Sequence, residues 1–354
     1  MGTVGTILIA LLVFGFLILI HELGHYITAR IFKVSITEFS IGMGPKLAWY
    51  DSKKTGIRYS LSMFPLGGYV AMVGEDAESD DPNAFNKKPA WQRFIITAAG
   101  ATVNIVFGFL AMILLTAIIN IQGNTIGRQY AKEDFKPEAP ITFEDVNSNE
   151  KLQLGDTIVK VNGKKVAIFD EIYYEVMRFG NEPVDMTVIR DGKEILVEDV
   201  VFPKLTEQDQ EFGYANFMTY SVDKNFFNTI GLAVRKTGLT LRMCWESIAD
   251  LITGRYSLSA VSGPVGISGA IGDAVTQGID SLLNIVVIIS INLGFMNLLP
   301  IPALDGGRLL TILAEMVTRK KMPAKVEAAI NGAGLMILLL LSVVIMIKDV
   351  IQLF

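Results

Sequence analysis

The chain has 354 residues, of which 51% are hydrophobic and only 19% charged, and its formal net charge is −5. This composition points away from an ordinary soluble domain and toward several membrane spans with some extramembrane mass. No basic field suggests nucleic acid, and the single cysteine, Cys244, excludes an internal disulfide or a cysteine-built zinc cage.

The first run, residues 4–20, is almost wholly apolar and leads into His21-Glu22-Leu23-Gly24-His25. On a helix, H-E-x-x-H sets two imidazoles at i and i+4, one turn apart on one face, where both reach the same Zn²⁺. Glu22 is offset around the helix, close enough to act as a base toward water at the metal. These are the chain's two histidines. A three-ligand zinc site therefore has to recruit a carboxylate. Ionisable groups inside a span are costly without a partner or a task. The segment lacks the basic start and small-residue cleavage site of a signal peptide. Arg30 and Lys33 follow it, which favours a retained span over residues 4–29 with its N-terminus outside. At 1.5 Å per residue His21 lies about 26 Å along the helix, deep in a hydrocarbon layer about 30 Å thick.

Residues 34–73 contain Gly42-Met43-Gly44-Pro45, an alternating stretch at 57–63, and Pro65-Leu66-Gly67-Gly68-Tyr69. The alternation predicts a small β-structure, the glycines and prolines predict turns, and the whole is read as dipping toward the site rather than spanning. The polar run at 74–92, with Glu75, Asp76, Glu78, Asp80 and Asp81, reads as a solvated loop. A second span is predicted over 93–121. Its Gly100, Ala101 and Gly108 permit close helix packing, and its Asn104 serves either an interhelical hydrogen bond or the lining of the site.

Residues 122–203 read as a soluble module. Strands flank an Asn162-Gly163 turn, a short helix covers 172–179, and a hairpin crosses Asp191-Gly192. The order resembles a circularly permuted PDZ domain of the bacterial protease type. It has no clear carboxylate-binding loop, so a steric gate is as open a role as the capture of peptide tails. A linker is predicted over 204–280. Within it an interfacial amphipathic helix over 226–253 carries Arg235, Lys236 and Arg242 toward the headgroups, and Ser262-Gly263-Pro264-Val265-Gly266-Ile267 forms a break. A third span from about 282 runs into Asn292 and Asn297-Leu298-Leu299-Pro300-Ile301-Pro302-Ala303-Leu304-Asp305-Gly306-Gly307. Two prolines and several glycines predict a broken helix at membrane depth, the kind of place that forms binding sites. Asp305 is the carboxylate that the two histidines need. A basic loop, Arg319 to Lys325, precedes a fourth span over 334–354. The cationic loops lie on one side, which puts the module and both termini on the other.

Taken together, His21-Glu22-Leu23-Gly24-His25, Gly42-Met43-Gly44-Pro45, Pro65-Leu66-Gly67-Gly68-Tyr69, Gly100 with Asn104, Ser262-Gly263-Pro264 and the run from Asn297 to Gly307 resemble the site-2 protease family of intramembrane zinc metalloproteases. The likeness is to its bacterial anti-sigma-factor-cleaving branch. It implies a polytopic α-helical membrane protein with four transmembrane helices, a membrane-associated β-hairpin and one extracytoplasmic PDZ-like α+β domain. It also implies one catalytic Zn²⁺ held by His21, His25 and Asp305, with Glu22 as base. Asn297 and the β-structure would handle substrate, and Tyr69, Asn104 and Asn292 are further candidate substrate contacts. The expected partners are the lipid bilayer and single-span membrane proteins, an anti-sigma factor or a signal-peptide remnant, with no nucleic acid. The expected location is the cytoplasmic membrane. The domain plan divides at 1–121, 122–203, 204–280 and 281–354. A rival reading is a zinc-binding membrane scaffold or transporter without proteolysis, since intramembrane His and Asp also mark ion pathways.

Overall fold

The computed structural model describes residues 3–75, 77–134, 141–142, 148–180, 182–207, 210–255 and 261–351. Asp76 and part of the 122–146 segment lie outside the described residues. The chain divides into two units, Met1–Leu115 with Thr240–Phe354, and Thr116–Leu239.

The first unit begins with helix α1, Thr3–Ile31. It is apolar all round, as a buried or lipid-facing helix must be. Ala10, Leu17, His21 and His25 are buried, while Val4, Leu8, Leu12, Phe16, Leu23, Ile27 and Ile31 form an uncovered apolar stripe. Strands β1, Ile36–Asp51, and β2, Arg58–Met72, follow as an antiparallel pair. Both strands double back. Residues 46–51 lie opposite 58–62, residues 36–41 lie opposite 68–72, and residues 38–41 also lie beside 58–61. The result is four ladder segments in the order 46–51, 58–62, 36–41, 68–72. The glycines expected in turns sit inside these strands, and Gly42, Gly44 and Gly67 take positive φ at the reversals, which only glycine adopts without strain. The alternating 57–63 stretch is flanked on both sides, with Tyr59 opposite both Phe39 and Tyr50. The rim is instead 68–72, which pairs among the described residues with 36–41 alone. Phe39, Ile57 and Val70 anchor this sheet on Ala29 of α1 and Ile96 of the next helix, α2, Ala90–Ile118.

The second unit holds strands β3, Gln122–Gln129, and β4, Ile141–Thr142, then the one-turn helix α3, Ser148–Lys151. Next come β5, Thr157–Val161, β6, Lys164–Lys165, helix α4, Phe169–Phe179, β7, Val184–Arg190, and β8, Lys193–Val200. Asn162-Gly163 and Asp191-Gly192 all take positive φ, as the two-residue hairpin turns they were read as require. The chain continues through β9, Lys204–Glu207, β10, Gln210–Gly213, and β11, Phe217–Ser221. The main sheet has the order β11-β3-β5-β7-β8 with β6 beside β5, and β10-β9-β4 form a second sheet. The module therefore runs well past its expected end at 203, because β11 pairs with β3 at its start. Ile126, Ile158, Ile172, Val176, Met186, Phe202 and Phe217 build the core. Arg190 grips the buried Asp156 with two hydrogen bonds of 2.7 Å.

Helix α5, Phe226–Ile252, appears where the amphipathic pattern predicts it. Its cations are used differently. Arg235 bonds Glu171 at 2.8 Å and Lys236 pairs with Asp170 at 2.9 Å, so both are spent on α4 rather than left for headgroups. The expected break at 262–267 is also corrected. Pro264 starts a further helix, α6, Pro264–Gln277, since proline suits a first helical position. The backbone N–H groups of Gly263 and Gly266 both donate to the buried Asp349 carboxylate, at 2.9 and 3.0 Å.

Helix α7, Ile279–Leu298, ends at the double-proline segment, α8, Asp305–Thr318, restarts the helix, and α9, Ala324–Ile351, closes the unit. The last helix begins ten residues before the expected 334. Four helices among the described residues, α1, α2, α7 and α9, are long and apolar enough to cross a membrane.

Candidate metal centre

Three elements bring the site together. The first is α1, which holds His21 and His25 on its buried face. The second is α2, which crosses α1 at two glycines. A methyl built on Gly24 would lie 2.6 Å from the Ala99 carbonyl oxygen, and one on Gly100 would lie 2.8 Å from His21 Nε2 and collide with His25 Nε2. Glycine at both places lets the α2 backbone close over the imidazoles. The third is the break between α7 and α8. Ala303 takes a positive φ there, and its N–H donates to Asn331 Oδ1 of α9 at 3.3 Å. Asp305 then opens α8, where the helix dipole favours a carboxylate.

Asp305 Oδ2 lies 3.1 Å from His21 Nε2 and 3.3 Å from His25 Nε2, and the two Nε2 atoms are 3.2 Å apart. Donors tetrahedrally disposed around zinc at its usual bond lengths stand roughly 3.3 Å from one another. The triangle matches that span. His25 Nδ1 donates to the Ile96 carbonyl at 2.9 Å, which leaves its Nε2 lone pair aimed at the other two donors. Asp305 Oδ2 is itself buried without a hydrogen-bond partner. Three electron-rich atoms facing one another across a buried point fit a cation between them. Among the described residues they form the one cluster of three metal-type side chains.

The centre opens on a cavity of about 670 Å³. Glu22 lines it, half-buried, beside the 68–72 rim; a methyl on Gly68 would approach Glu22 Cγ to 3.2 Å. Of the four candidate substrate contacts, Tyr69 lines this cavity. Asn104 does not. It is fully buried behind His21, its Nδ2 3.4 Å from His21 Nδ1. Asn292 is exposed on α7 away from the cavity wall, and Asn297 turns its amide back to the Leu293 carbonyl at 2.9 Å. Sequence reasoning missed Thr97, Glu75 and Asn331, which also line the cavity. Glu75 is no idle loop charge, because it pairs with Arg308, one turn beyond Asp305 on α8. Nothing local in a polar run marks such a distant partner.

Comparison with known proteins agrees with this chemistry. The sequence pattern of peptidase family M50 matches residues 9–341. A Clostridium acetobutylicum protein provisionally named a zinc metalloprotease is 33% identical over 98% of this chain and 97% of its own. Similarly named proteins of Fusobacterium nucleatum and Clostridium perfringens are 35% and 34% identical, over 99% and 98% of both chains. With four apolar helices, a sheet-containing module and this kinship, the chain belongs to peptidase family M50, the site-2 proteases, and is a zinc metallopeptidase.

Proposed function

We propose that the peptide bonds it cleaves lie in the membrane-spanning segments of single-span proteins, with zinc held by His21, His25 and Asp305. One observation carries this: the three donors converge within about 3.3 Å of one another, two of them on an apolar helix whose outer face is bare. Zinc there would supply Lewis acidity, making water a stronger acid and polarising the scissile carbonyl. Glu22, facing the same cavity, takes the proton from the attacking water and hands it to the departing amine. A substrate helix has to unwind first, since a helical peptide bond is hidden. The 68–72 rim offers the unwound segment a strand to pair with, replacing the hydrogen bonds lost. Tyr69 and Gly68 bring that rim to Glu22.

The chain is proposed to sit in the cytoplasmic membrane with its PDZ-like module and termini outside, the module admitting substrates already trimmed of bulky outer domains. An anti-sigma factor and a signal-peptide remnant both fit that description. The rival reading, a zinc-binding scaffold or transporter, lacks the inverted repeat of many transporters and leaves Glu22 without a task. Purified protein incubated with a single-span substrate separates the two. Cleavage is expected with zinc, and is expected to stop with a chelator or with Glu22→Gln, which keeps its zinc. Turnover by Glu22→Gln at the wild-type rate would remove Glu22 from the reaction. No cleavage by the wild type of any single-span substrate offered would favour the scaffold.

A further inference from the structure

We propose that Asn104 is a positioning residue for the metal ligand His21, fixing the imidazole tautomer that can bind zinc, rather than a residue that touches substrate. The proposal rests on the zinc reading above and adds to it a role for a side chain outside the cavity.

Asn104 lies on α2 one turn beyond Gly100, where the α2 backbone covers the imidazoles. It is fully buried and forms no part of the cavity wall, so no substrate in the cavity reaches it. Its backbone carbonyl accepts a hydrogen bond from Ser290 Oγ of α7 at 2.8 Å, which holds this turn of α2 in place. Its side-chain amide faces His21 Nδ1 at 3.4 Å.

A neutral imidazole that gives its Nε2 lone pair to a metal carries its proton on Nδ1. His21 Nε2 is the atom in the donor triangle, so its Nδ1–H needs an acceptor. For His25 that acceptor is the Ile96 carbonyl. For His21 the side chain within reach is the Asn104 amide. With Nδ2 toward the ring, Oδ1 is left buried and without a partner. The amide's oxygen and nitrogen exchange places by a half-turn of the side chain, and the hydrogen-bond network decides between them. Turned so, Oδ1 accepts from His21 Nδ1–H, the buried oxygen gains its partner, and Nε2 is left bare toward Asp305. Groups of this kind, one step behind a ligand, commonly set metal affinity 10- to 100-fold.

The test compares full-length wild type with Asn104→Leu, which keeps the bulk and loses the acceptor, and Asn104→Asp, which keeps an acceptor. Zinc affinity is read by competition with a chromophoric chelator, and KM and kcat are read at saturating zinc. Expected are zinc binding about 10- to 100-fold weaker in Asn104→Leu, binding close to wild type in Asn104→Asp, and an unchanged KM in both. Should Asn104→Leu fail to fold, Asn104→Ala takes its place against Asn104→Asp, with the same weak and tight pair expected. Equal zinc affinity in the leucine or alanine variant and the wild type, or a raised KM with zinc affinity intact, would overturn the proposal. A wild type that holds no zinc would instead sink the zinc reading on which it stands.

Discussion

At the residue scale the site depends on what is missing as much as on what is present. His21, Glu22 and His25 are legible because helical spacing alone brings them together. Their need for Gly100, 75 residues beyond His25, is not, since no local pattern says that two backbones meet there. Gly100→Ala puts a methyl against both imidazoles. Overpacking of this kind costs about 1–3 kcal/mol, and about 1.4 kcal/mol is a factor of ten in an equilibrium constant. Zinc binding by Gly100→Ala is therefore expected to weaken about tenfold or more in a chelator competition, whereas Gly231→Ala, with nothing near its position, is expected to bind as wild type does.

At the element scale the β-structure is the part that departs most from its sequence. The alternation at 57–63 correctly announces strand, but not which segment lies at the rim. That is settled by the reversals at Gly42, Gly44 and Gly67, which slide residues 68–72 past 58–62 to the other side of 36–41. Position 68 is where rim and site meet. Gly68→Val would press on the Ser40 carbonyl, 2.8 Å from the first added carbon, and on Glu22. It is expected to lower kcat at least tenfold while leaving zinc content unchanged, measured as turnover of a single-span substrate beside metal analysis. A fall in zinc content instead would place the damage in α1. Helix α6 was hidden for a related reason. Ser262-Gly263-Pro264 reads as a break because the group that accepts the helix's first N–H bonds, Asp349, lies 83 residues beyond Gly266. The double-proline break before Asp305 was legible because proline and glycine act where they stand.

At the scale of the whole molecule, four candidate spans among the described residues are joined by three connections, of which the second carries the module and the third a basic loop. The module joins the second span to the third, and the loop at 319–325 joins the third to the fourth. A single crossing by the third candidate span would put the two on opposite faces. Replacing Cys244, the chain's one cysteine, with serine clears the background for labelling. Gly192→Cys in the module and Lys320→Cys in the loop are then expected to react with a membrane-impermeant thiol reagent from opposite sides of sealed vesicles. Reaction of both from one side would remove a span. Composition foretold the four long apolar helices among the described residues, and the motifs at each end named the three side chains that meet. The tie between the ends is a property of the fold alone, since Asp305 stands 280 residues from His25 in the chain and 3.3 Å from it in space. X-ray absorption at the zinc edge, made on the purified wild type and on Asp305→Ala, tests that tie most directly. The wild type is expected to hold one zinc per chain with only nitrogen and oxygen neighbours at about 2.0–2.2 Å, and Asp305→Ala to lose most of it. A sulfur neighbour, or a zinc spectrum that Asp305→Ala leaves unchanged, would contradict a site built from His21, His25 and Asp305.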